Sequence, residues 1–85
     1  MITSTVSIAS SQGLHARPAA ELVEKMKGFD ATVRIVVGEK QADTKSIMSV
    51  LALGAKTGAE VTIEAEGDQA EEALAAAEEI LTTEE

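Results

Sequence analysis

The apolar residues of this 85-residue chain switch repeatedly between a period of two and a period of three to four, which confines it to folds that mix strands and helices. From Ile2 to Ile8, the residues Ile2, Val6 and Ile8 alternate with Thr and Ser, as in a strand with one buried face. Ala9 to Gly13 is small and polar and reads as a loop. Ala16, Ala19, Ala20, Val23 and Met26 then recur at helical spacing, with Glu21, Glu24 and Lys25 on the other face, which predicts a helix from about Ala16 to Lys27. Gly28 follows where a left-handed cap would close that helix.

Further along, Ala31, Val33, Ile35 and Val37 alternate with Thr32, Arg34 and Val36, and a Gly38-Glu39 turn leads into Lys40 to Asp43, so these two strands form a hairpin. Ser46 precedes Ile47-Met48-Ser49-Val50-Leu51 and is placed to cap a short helix that Gly54 ends. Glu60 to Glu66 alternates through Val61, Ile63 and Ala65. Gly67-Asp68 then turns into a last helix with the inner stripe Ala70, Ala73, Leu74, Ala77 and Leu81, and Glu78 to Glu85 is expected to fray into solvent. The order βαββαβα, without a Pro-rich linker or internal repeat, predicts one α+β domain over residues 1–85. Half-buried strands and amphipathic helices each need one cover, which an antiparallel sheet with helices on one face supplies. Strand order does not follow from the pattern.

Phe29 is the only aromatic residue, so the core has to be built from Val, Ile, Leu, Met and Ala. The formal charge of −8 argues against nucleic acid as a partner, since displacing counterions from phosphates takes an excess of Lys and Arg. The acidic residues concentrate from Glu60 onward, whereas Arg17, Lys25, Lys27, Lys40, Lys45 and Lys56 lie earlier, so partner binding is expected in the earlier part. There is no cysteine for disulfide or thiolate chemistry, which fits a reducing cytoplasm. No apolar run approaches the ~18 residues that span a bilayer, so a soluble cytoplasmic protein with no membrane partner is expected.

The chemistry concentrates at His15, the only histidine, where loop becomes helix. The first helical amides, those of Ala16 and Arg17, have no intrahelical acceptors and sit at the positive end of the helix dipole, so a group on His15 would meet donors suited to anionic oxygens. Arg17 adds a guanidinium that pairs with phosphate and discourages a cationic imidazole. Pro18 has no amide hydrogen to leave unpaired in the first turn and so fixes the helix start, although the residue before a proline is biased away from helical angles. Gly13 allows a sharp loop and leaves the imidazole accessible. An imidazole nitrogen is nucleophilic near neutral pH, and its phosphoramidate retains enough free energy for onward transfer. A lone histidine at a loop end is more often an ordinary surface residue, and Arg17 and Pro18 shift that balance only in part.

Gly13-Leu14-His15-Ala16-Arg17-Pro18-Ala19 closely resembles the active-site segment of the HPr family, the histidine-containing phosphocarriers of the bacterial phosphoenolpyruvate-dependent sugar phosphotransferase system. Lys45-Ser46-Ile47-Met48 with Leu53-Gly54 is similar to the family's second signature, and length and element order agree over essentially the whole chain. The resemblance implies a four-stranded antiparallel sheet covered on one face by three helices. It also implies that enzyme I phosphorylates His15 at Nδ1, that Arg17 steadies the phosphate, and that His15 passes it to a sugar-specific enzyme IIA. The chain would then be a carrier rather than an enzyme, needing no cofactor or metal.

By the same resemblance, Ser46 matches the serine that an ATP-dependent HPr kinase modifies in many relatives, inhibiting transfer from enzyme I and favouring a transcriptional regulator as partner. Ser46 reads equally as a plain helix cap. Ile47, Met48 and Leu51 would form the apolar patch that docks partners, with Met48 the most exposed, although apolar residues at helical spacing are more often core. Gln12 stands where a small polar residue is frequent and Ser49 where glycine is frequent. Two other readings share these residues: a regulatory interaction protein acting through modified Ser46, and a nitrogen-regulatory carrier with the same His15 chemistry. One histidine and no cysteine leave no ligand cluster at metal spacing. A monomer is expected, because a carrier meeting two partners through one face keeps that face free.

Overall fold

The computed structural model describes residues 1–9, 13–14 and 16–83. Its elements are β1 (Ile2–Ser7), α1 (Ala16–Met26), β2 (Thr32–Val37), β3 (Lys40–Asp43), α2 (Ile47–Ala52), β4 (Glu60–Glu66) and α3 (Ala70–Thr82). The four strands form one sheet in the order β1-β4-β2-β3, with every neighbouring pair antiparallel. Register sets opposite one another the residues that the period-two pattern turns inward: Val6 with Val61, Ile63 with Ile35, and Ile35 with Ala42. α3 packs on β1 and β4, α1 on α3, and α2 against α1 and β3, so the helices form one layer over one sheet face. The other face is polar, with Thr5 and Thr62 hydroxyls 3.1 Å apart and Arg34 Nη2 3.1 Å from Glu64 Oε1.

The expected element order and the hairpin at Gly38-Glu39 are present. Four details differ from the sequence expectation. The buried stripe of α1 is Pro18, Ala19, Leu22, Val23 and Met26, whereas Ala16 and Ala20 are exposed. Burying Leu22 removes far more apolar area from water than burying either alanine, and this rotates the helix. Gly28 is not left-handed, because α1 ends through three-residue closures from Gly28 N–H to Lys25 O (3.1 Å) and Phe29 N–H to Met26 O (3.3 Å). Arg17 and Pro18 are the second and third residues of α1, so the bias before proline is overridden.

At the other end of the chain, α3 continues to Thr82 instead of fraying from Glu78. Leu81 is buried beneath it, and its carbonyl accepts the Ala9 N–H at 3.1 Å, which ties this last turn to the end of β1. Glu84 and Glu85 lie outside the described residues. Thr44 is the one buried polar side chain among the described residues, and both its amide (3.1 Å) and its hydroxyl (3.0 Å) donate to Val33 O. That pairing removes the penalty of a buried hydroxyl and anchors the end of β3 just before Lys45 and Ser46.

Candidate functional site

Two loops converge below the start of α1. Gly13 has φ 72°, and a Cβ there would lie 2.6 Å from Ala55 O and 2.9 Å from Lys56 Cα, so both backbone angle and space require glycine. The next amide, Leu14 N–H, donates to Ala55 O at 2.9 Å while the Leu14 side chain enters the core. The loop between α2 and β4 is itself pinned by Gly58 N–H to Ile8 O (2.8 Å) and Ala59 N–H to Lys56 O (2.9 Å). The chain is therefore fixed at Leu14 on one side of His15 and at the first residue of α1, Ala16, on the other. His15 itself, with Gln12, lies outside the described residues.

At the start of α1, Ala16 and Arg17 are exposed and Pro18 is buried. No acidic residue occupies the first turn, so nothing on the helix itself cancels the positive end of its dipole there. The Arg17 Nε lies 3.7 Å from Glu21 Oε1, one turn along, with both side chains largely in solvent. A pair of that kind is weak enough for a stronger anion to displace.

The second predicted segment lies on α2, which packs against α1. Ser46 caps it: its Oγ accepts the Ser49 N–H at 3.3 Å, and its own amide donates to Asp43 O at 3.2 Å. Met48 is 77% exposed and Ile47 40%, Leu51 is half-buried, and Val50 on the opposite side is in the core. Met48 is thus the most exposed of the patch residues, as expected, and Leu51 the least. The groove between α1 and α3, walled by Ala76 and Ile80 and rimmed by Glu21, Glu24 and Glu79, contains none of the site residues proper. Among the described residues no group of three His, Cys, Asp or Glu side chains could hold a metal ion, and no helix is long and apolar enough to cross a membrane.

Sequence reasoning missed the contribution of Ala55 and Lys56, because their contact with Gly13 joins positions more than forty residues apart. The available signal was the pair Gly54 and Gly58 bracketing that short loop, of which the sequence pattern uses only Gly54, as the end of α2.

Residues 2–83 match the family described as PTS HPr component phosphorylation site. The phosphocarrier protein HPr of Mycoplasma capricolum is 45% identical over 69 residues, spanning 81% of this chain and 78% of that protein. The phosphocarrier protein NPr of Escherichia coli K12 is 43% identical over 76 residues, spanning 88% of this chain and 84% of that protein. The crystal structure of HPr-C-His from Thermoanaerobacter tengcongensis superposes with a TM-score of 0.89 at 37% identity, covering 95% of this chain and 91% of that one. The fold, the motif and these relatives agree, and the chain belongs to the HPr family of phosphocarriers of the phosphotransferase system.

Proposed function

We propose that residues 1–85 act as one cytoplasmic HPr domain that takes a phosphoryl group from phospho-enzyme I onto His15 Nδ1 and hands it to an enzyme IIA. The observation that carries this reading is the fixed junction around His15, with Leu14 bonded to Ala55 before it and α1 starting with exposed Ala16 and Arg17 after it. In the transfer, the Nδ1 lone pair attacks phosphorus, the donor's bond to phosphorus breaks, and that electron pair returns to the donor. The second transfer repeats the step with the enzyme IIA nucleophile attacking and the His15 nitrogen leaving. The amides of Ala16 and Arg17 and the Arg17 guanidinium bind the phosphoryl oxygens, with Glu21 displaced. The chain has no reaction of its own to catalyse; it is the substrate of one partner and the donor for the next, and acts as a monomer.

Ile47, Met48 and Leu51 dock both partners, the first two being exposed apolar side chains beside α1. Ser46 lies at the edge of that patch, so a kinase adding a phosphate there places a dianion where an apolar or acidic partner surface must approach. That modification slows transfer from enzyme I and leaves the carrier free for a transcriptional regulator. The near-equal identity to an HPr and an NPr supports a second reading, in which the same His15 chemistry serves nitrogen-regulatory partners.

The test is a coupled transfer with phosphoenolpyruvate, enzyme I and a panel of acceptors from both branches, using this chain in catalytic amount. Phosphate should reach a sugar-specific enzyme IIA only when the chain is present. Delivery solely to a nitrogen-branch acceptor would select the second reading, and delivery to none would refute the carrier assignment.

A further inference from the structure

We infer that Lys56 is a second cation of the phosphoryl site, its ammonium group binding the phosphoryl oxygens on His15 together with Arg17. This rests on the reading that His15 carries the group. Lys56 belongs to a loop forty residues away in sequence, yet its Cα and carbonyl carbon fill the space that a side chain at Gly13 would need, at 2.9 and 3.3 Å. Leu14, the neighbour of His15, is bonded through its amide to Ala55, the neighbour of Lys56. The Lys56 backbone is held at the same time by Ala59 N–H to Lys56 O at 2.9 Å and, through Gly58, to Ile8 O at 2.8 Å. The root of the side chain is therefore fixed beside the phosphoryl segment, and only its flexible stem has to move.

Charge points the same way. The chain carries a formal −8, so a dianion arriving at its surface meets a repulsive background unless cations stand nearby. Arg17 is one such cation, but its guanidinium has the Glu21 carboxylate at 3.7 Å. Lys56 is exposed, and among the described residues no carboxylate pairs with it, whereas Lys27 and Arg34 each have one. A strongly hydrated ammonium on a mobile stem suits a group that must be held and then released, since its contacts are point-like rather than bidentate.

A cation beside the phosphoryl group favours its dianionic form and so lowers the pH at which it takes a proton. The test is a phosphorus NMR titration of the isolated, phosphorylated chain, with no partner present. The variants Lys56→Gln and Lys56→Arg are compared with Lys27→Gln, which removes the same charge at the far end of α1, about 16 Å from its start and beyond a Debye length. The midpoint should rise by about 0.3 pH unit in Lys56→Gln, return in Lys56→Arg and stay in place in Lys27→Gln. An unmoved midpoint in Lys56→Gln overturns the inference. It does so even if KM for enzyme I rises, because Lys56 would then be meeting the partner and not the phosphate. A wild-type chain that acquires no phosphohistidine would overturn both this inference and the carrier reading beneath it.

Discussion

The two helix starts that flank the candidate site are built differently. α2 closes its own first turn, with Ser46 Oγ accepting the Ser49 N–H and the Ser46 amide tied back to Asp43. α1 is held from outside, by a leucine amide bonded to another loop and by a glycine pressed against that loop's backbone. A self-capped start is a local device, stable wherever the chain places it. An externally held start can keep its first amides for a ligand, at the cost of depending on a tertiary contact. The difference teaches that the start of α1 is positioned by the contact of Gly13 and Leu14 with the loop after α2, whereas the start of α2 is positioned largely by its own local sequence.

The sharpest way to break that contrast is Gly13→Val. It adds a side chain at positive φ and forces it into Ala55 O, and the combined strain should cost about 3 kcal/mol of stability. In thermal unfolding this corresponds to a fall in Tm of roughly 10–20 °C. Gly38→Ala is the control, since φ there is also positive at 59° but nothing lies within 4 Å, and about 1 kcal/mol is expected. Equal losses for the two would mean that the contact with the loop after α2 holds nothing in place.

Arg17→Gln sharpens the comparison from the chemical side. The side chain is exposed, so unfolding should move by less than ~0.5 kcal/mol. The rate of transfer from enzyme I should fall by about tenfold, the equivalent of roughly 1.4 kcal/mol from one charge-assisted contact. A large stability loss with unchanged transfer would reverse the assignment of Arg17.

The smallest effect is expected at the self-capped start. Ser46→Ala removes one acceptor at the long distance of 3.3 Å and should lower stability by about 0.5 kcal/mol, the low end for a helix cap. His15 phosphorylation by enzyme I should be unchanged, as measured by initial rate, because the α1 start does not depend on Ser46.

Much of this architecture can be read from the residues. Ile2 through Ile8, Ala31 through Val37 and Glu60 through Glu66 alternate strongly enough to specify strands and their inner faces, whereas strand order and register come from the structure, where a one-residue slip would expose Val61, Ile63 and Ala65 together. The expected α1 stripe takes in Ala16 and Ala20 and leaves out Leu22, because spacing alone does not weigh the larger apolar area of leucine. The acidic residues from Glu78 onward suggest fraying even though Leu81 stands in the expected inner stripe; what holds the last turn of α3 is the Ala9 amide on the Leu81 carbonyl, a tertiary contact that no local pattern carries. At the site, the motif around His15 and the cap at Ser46 were legible, since both are local. The contribution of Ala55 and Lys56 was not, because this close backbone approach between distant segments leaves a glycine on one side only, at Gly13, and no mark at Ala55 or Lys56.

The central claim is that His15 carries the phosphoryl group. Its most direct test is the intact mass of the wild type and of His15→Ala after incubation with phosphoenolpyruvate and catalytic enzyme I, before and after brief acid treatment. The account predicts one acid-labile phosphoryl group on the folded wild type and none on the variant. Phosphate retained by His15→Ala, or a wild-type phosphate that survives acid, would contradict it.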